Sequence, residues 1–189
     1  LDTGRYDAFC GTVWADAPRR KHLALITPYF YTPVYLFTRA QERSFDGQLA
    51  RVNHPKVTIA AVDGDISYTS ARRDFPLAKV LAMPQTTSLG EFFEAIRLGK
   101  ADIGVVDRDS LLAYQQQNPG QLDFVRQVPP VYVYGEMIGV APQELRLKLL
   151  LDEAVQELID RGVVDKMAQQ AGYEFIPAAR RYTLTPPGE

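Results

Sequence analysis

The sequence predicts an α/β protein built as two similar lobes, and three observations carry that reading. A short word is written twice, as Gly4-Arg5-Tyr6-Asp7-Ala8-Phe9 and as Gly99-Lys100-Ala101-Asp102-Ile103-Gly104. Each copy runs Gly, a cation, any residue, Asp, then an apolar stretch of strand length. Strand-length apolar runs alternate with helix-period stretches across short loops, the pattern of parallel sheets flanked by helices. The 189 residues are 46% hydrophobic, an ordinary share for a globular chain that can fill one large domain or two small lobes.

Gly just past a helix stops it by accepting positive φ. The second copy follows such a helix. The first begins three residues into the chain, which predicts that the opening elements of its lobe lie upstream of Leu1.

In order, residues Tyr6–Val13 read as a buried strand and Ala15–Lys21 as a turn into a short helix. Two prolines in Thr27–Pro33 forbid a helix, and Val34–Thr38 is β-branched and aromatic enough for a strand. Arg39–Lys56 is an unpatterned connector. Val57–Val62 is a strand, Asp63-Gly64-Asp65 a tight turn, and Ser67–Asp74 a helix ended by Phe75-Pro76. After the strand Val80–Met83, Ser88 and Glu91 form a capping box, and Leu89, Phe92, Phe93 and Ile96 share one helical face. Ile103–Val106 is a strand, Ser110–Gln117 a helix, Phe124–Val128 a strand, and Val131–Val140 a further extended run. Leu147, Leu151, Ala154, Val155 and Leu158 make a helical stripe stopped by Gly162, a short helix covers Val164–Gln170, and the rest reads as a tail.

Composition removes several function classes. A net charge of -2 without a long basic run argues against a nucleic-acid surface. No apolar stretch approaches the roughly 18–20 residues that span a bilayer, so no membrane insertion is expected in this segment. The lone cysteine, Cys10, excludes an internal disulfide and a cysteine metal site, and its apolar strand predicts a small core residue. His22 and His54 lack ligand spacing. No phosphate loop, nucleophile elbow or zinc motif occurs, so neither cofactor nor metal is expected.

In parallel sheets ligands sit beyond the carboxyl ends of strands. That rule selects Gly11-Thr12-Val13-Trp14, Gly64-Asp65-Ile66-Ser67, Pro84-Gln85-Thr86-Thr87 and Asp107-Arg108-Asp109.

The arrangement resembles the type 2 periplasmic solute-binding proteins, and within them the family 3 receptors that deliver amino acids to ABC transporters. The likeness rests on Gly4-Arg5-Tyr6-Asp7-Ala8, on Arg19 with Thr27-Pro28-Tyr29-Phe30-Tyr31, on Asp63-Gly64-Asp65, on the Leu89–Asp107 unit, and on Asp160-Arg161-Gly162-Val163-Val164-Asp165-Lys166. The resemblance implies a Venus flytrap of two α/β lobes joined by crossing strands, lobe one incomplete at its N-terminus. Residues 1–36 would belong to lobe one and 37–130 to lobe two. Residues 131–176 would return to lobe one as a crossing strand and C-terminal helices, and 177–189 would be a tail.

By the same resemblance, Arg19 corresponds to the arginine that grips a ligand carboxylate, a role suited to the guanidinium fork; Arg20 competes if the register slips. Asp107 corresponds to the acid that holds the ligand amino group, and a helix N-cap is its competing role. Thr12 is its counterpart in the other lobe, and Trp14 is either a pocket wall or core. Asp65, Ile66 and Ser67 stand where the family places Ser or Thr at a helix N-terminus. An aspartate there repels an anionic group and admits a cationic, neutral or aromatic solute. Thr86, Thr87 and Glu136 are further candidates.

The function implied is an extracytoplasmic receptor for a small, amino-acid-like solute, partnered by an ABC permease and located in the periplasm or outside the cell. Two alternatives use the same scaffold: the sensing domain of a membrane signalling protein, and a dehydratase-like enzyme with Asp107, Asp65 or Glu136 as its acid.

Overall fold

The computed structural model describes residue 1, residues 4–14 and residues 19–182, apart from the side chains of Thr12, Arg19 and Ile66. Its strands and helices follow in chain order: β1 (Ala8–Trp14), β2 (Ala24–Leu25), β3 (Phe30–Arg39), β4 (Thr58–Val62), α1 (Ile66–Asp74), β5 (Lys79–Met83), α2 (Leu89–Arg97), β6 (Ile103–Asp107), α3 (Arg108–Gln117), β7 (Leu122–Phe124), β8 (Tyr132–Val140), α4 (Leu145–Asp160), α5 (Val163–Ala171) and β9 (Ile176–Pro177). The chain divides into two compact units. Unit 1 takes the residues up to Thr32 and those from Val133 onward, and unit 2 is Pro33–Tyr132. β3 and β8 each begin in one unit and end in the other.

In unit 2, β5, β4 and β6 run parallel, with Ile59 of β4 beside Val80 of β5 and Ile103 of β6. β3 pairs antiparallel with β6, Val34 opposite Asp107, and its end pairs with β7. Successive strand residues point to opposite sides, so Leu36 and Ile59 face one core and Phe37 and Ala60 the other. The first core adds Val52, Ala71, Phe75 and Ile103; the second adds Phe92, Phe93, Ile96 and Leu111. Helix α1 supplies the first, while α2 and α3 supply the second. Ser88 caps α2 through the reciprocal box with Glu91, as its sequence spacing predicts.

The repeated word has a physical role in its second copy. Gly99 ends α2 at φ +73°, and Asp102 then accepts from the Thr58 backbone N–H at 2.9 Å and from Arg39 at 3.3 Å. Its own carbonyl accepts from the Thr38 hydroxyl at 2.7 Å. One aspartate thereby ties the starts of β4 and β6 to the end of β3.

In unit 1, β8 is flanked by β1 and β2, both antiparallel to it. Val13, Leu25, Ile26 and Met137 are buried together, with Leu151 and Val155 of α4 packed against them. The start of β3 pairs with β9, Phe30 opposite Pro177. That strand falls in the stretch whose sequence reads as a tail; two residues carry too little pattern to announce it.

Three further readings change. Cys10 is exposed, not a core residue; it lies in the bulge of β1 between Phe9 and Val13, where extra residues break the regular alternation of sides. The expected strand at Phe124–Val128 is seated earlier, at Leu122–Phe124. Leu158, expected on the buried stripe of α4, is 40% exposed.

Candidate functional site

The carboxyl edge of the unit 2 sheet is built by register. Because Ile59 sits beside Ile103 in parallel strands, equal strides bring Asp63 and Asp107 out of the sheet at the same edge. Gly64 then turns the chain at φ +73°, a conformation that L side chains resist. Asp65 caps α1, its carboxylate accepting from the Ser67 backbone N–H at 2.9 Å. The Ser67 hydroxyl oxygen accepts from Val62 N–H at 3.4 Å. Asp107 caps α3 in the same way, Oδ1 accepting from Ser110 N–H at 2.8 Å.

The sequence-predicted residues of this edge, Asp65, Ser67 and Asp107, therefore begin the helices that follow two adjacent strands, and each has a structural hydrogen bond. Both aspartates take the N-cap role. A carboxylate has lone pairs on two oxygens, so Asp107, capping through Oδ1, keeps acceptor capacity on Oδ2. Ile66 opens α1, but its side chain lies outside the described residues.

Unit 1 contributes a different cluster. The bulge in β1 brings Trp14 opposite Glu136 of β8. The indole Nε1 donates to Glu136 Oε1 at 2.6 Å, and the Thr32 hydroxyl donates to the same oxygen at 2.6 Å. The indole stacks on Tyr134, with centroids 4.8 Å apart and planes at 21°. Tyr29 lies nearby, its backbone N–H bonded to the Glu136 carbonyl at 3.0 Å. Burial, then the Glu136 charge, push its phenol up to about 12, so it stays neutral at physiological pH.

Trp14 is thus neither simple core nor simple wall; it is a hydrogen-bonded partner of a buried acid. Thr12 shares its strand and Arg19 opens a short 3-10 turn, Arg19–Lys21. The side chains of both lie outside the described residues. The adjacent Arg20 reaches the Met137 sulfur at 4.0 Å. Sequence reasoning ranks Glu136 low and passes over Thr32 and Tyr134. The available signal is an acid inside an extended apolar-aromatic run, Val131–Val140, where a charge needs a partner.

No family model matches the sequence. Solved structures do match it. A putative ABC-transporter binding component from Wolinella succinogenes, solved with lysine, aligns at a TM-score of 0.74 and 17% identity, over 90% of this chain and 71% of that one. The fold is that of the type 2 periplasmic solute-binding proteins. An ancestral amino acid-binding protein, described as a precursor of cyclohexadienyl dehydratase, aligns with this binding-protein fold at 0.72 and 18% identity, over 90% of this chain and 70% of that one. The arginine-bound amino acid ABC transporter substrate-binding protein AbpA of Streptococcus pneumoniae aligns at 0.69 and 17%, again over 90% and 70%. Among the described residues no helix is long and apolar enough to cross a membrane, and no group of metal-ligating side chains gathers.

Proposed function

We propose that the chain is the solute-binding component of an ABC importer, acting outside the cytoplasm on a small amino-acid-like solute and delivering it to a permease. It is read as a receptor, not an enzyme. The observation that supports this most directly is the pair of helix N-termini at the carboxyl edge of the unit 2 sheet, with Asp107 at one and Asp65 at the other. In a binding-protein fold that edge is the place for a ligand.

In this reading Asp107 receives the solute ammonium through the oxygen not used for capping, and Arg19 receives its carboxylate. Thr12, Trp14 and Ser67 border the solute. Ile66 supplies an apolar contact, and Asp65 disfavours an acidic side chain. Binding selects a closed conformation that the permease reads.

Thermal-shift measurements over a panel of amino acids test the proposal. At least one amino acid is expected to raise the melting temperature, and Arg19→Ala or Asp107→Ala to abolish the rise. Equal shifts in both variants and the parent would discard the site.

A second reading, a dehydratase-like enzyme, draws on the likeness to the dehydratase precursor. Turnover of cyclic carboxylic acids would favour it over a receptor.

A further inference from the structure

Glu136 is 4% exposed, and both of its side-chain donors, Trp14 and Thr32, converge on Oε1. Oε2 is shut away from solvent and has no hydrogen-bond partner. Leaving a buried acceptor unmade is unfavourable, more so for a charged one. Among the described residues no salt bridge reaches Glu136. Arg20 reaches the sulfur of Met137, the next residue along β8, and neighbouring residues of a strand point to opposite sides.

What surrounds the carboxylate favours a cation. The Trp14 indole meets the carboxylate through its N–H edge and stacks its face on Tyr134, so aromatic rings, which attract cations, stand next to the acid. Tyr29 keeps its proton. A water or hydroxyl would satisfy a lone pair of Oε2 but not the charge. The kind of cation follows from the oxygen that is free. A guanidinium binds a carboxylate best through both oxygens at once, and Oε1 already accepts two hydrogen bonds. A primary ammonium, a compact donor that needs only one oxygen, fits Oε2.

We infer that Glu136 Oε2, beside the Trp14–Tyr134 stack, is the receptor for the side-chain ammonium of the solute. This rests on the solute-binding reading and narrows its substrate class to amino acids with a primary-ammonium side chain.

The chain has a single tryptophan, so titration of its intrinsic fluorescence reports directly on this site, with calorimetry as a second readout. The decisive pair is lysine and norleucine, which share a backbone and a similar chain length but differ in the distal ammonium. Lysine is expected to bind the parent chain at least about tenfold tighter than norleucine, in keeping with the worth of a buried charge pair. In Glu136→Gln the ratio of lysine to norleucine affinity is expected to collapse toward one. If Glu136→Gln does not fold, Glu136→Asp carries the comparison, because it withdraws the charge by one methylene and should erode the preference.

Equal binding of lysine and norleucine by the parent chain would overturn this inference and leave the solute-binding reading intact. A lysine preference that survives in folded Glu136→Gln would also overturn it, since the ammonium would then lie elsewhere. Binding of no amino acid at all would overturn both.

Discussion

Trp14 and Glu136 are cross-strand partners because β1 carries extra residues between Phe9 and Val13, and the indole N–H closes on the carboxylate at 2.6 Å. Regular pairing from Phe9 would set other residues opposite the acid. The bulge therefore decides which side chain covers it. Trp14→Phe keeps the ring and removes one of the two donors to Oε1, so it is expected to destabilise the chain by about 1.5–3 kcal/mol, the range for a hydrogen bond to a charged group. Urea denaturation followed by circular dichroism measures this; an unchanged midpoint would mean that the bond contributes nothing net.

Asp107 carries a structural duty alongside its proposed binding one, and two substitutions separate them. Asparagine caps helices about as well as aspartate, whereas alanine loses about 1 kcal/mol at such a position. Asp107→Asn is thus expected to melt with the parent chain yet lose its ligand-induced thermal shift, while Asp107→Ala loses both. A full ligand-induced shift in Asp107→Asn would confine Asp107 to capping.

Unit 1 should respond to acid through Asp152. Its carboxylate accepts from Thr27 N–H at 2.7 Å and from the Lys148 ammonium. Burial alone would raise its pKa, but the Lys148 and Thr27 hydrogen bonds outweigh burial and hold it below the ordinary range. A depressed carboxylate stabilises the fold above its unfolded value of about 3.9 and loses that contribution as pH falls through its folded value. Asp152→Asn is expected to lower stability by about 1 kcal/mol at neutral pH. Its stability curve should also be flatter than the parent's below about pH 4. Parallel curves over that acid range would contradict the assignment.

The second core of unit 2 has no room at Gly104. A Cβ there would lie 2.4 Å from Phe37 Cε1 and 3.2 Å from Ile96 Cδ1. Phe37 is fully buried and meets Phe92 and Phe93 edge to face, so it has nowhere to retreat. Gly104→Ala is expected to cost about 1–3 kcal/mol by overpacking, read from the guanidinium unfolding midpoint.

The elements of unit 2 were legible because each has a strong local signature. Val57–Val62 is uniformly apolar, Ser88 and Glu91 announce α2, and Gly99 stops it. Asp65 and Asp107 were legible as strand-end acids for the same reason, although their capping bonds depend on helices that start immediately afterwards. Unit 1 was less legible. The β1 bulge follows from pairing with residues more than a hundred positions away, so nothing local marks Cys10 as exposed. Strand β9 exists only through its partner Phe30–Tyr31. Glu136 looked like one acid among many, because what sets it apart is the convergence of Trp14 and Thr32 on one of its oxygens.

Unit 2 is one uninterrupted stretch of chain, while unit 1 is assembled from two stretches on either side of it. During synthesis every residue of the uninterrupted unit has been made before the second half of its neighbour is available. The middle of the protein can therefore complete its structure early, and the strand that carries Glu136 arrives afterwards. The pairing of residues 8–14 with that strand must wait for it. Any slowing of translation near residue 132 would lengthen that wait without touching a single contact of the finished molecule.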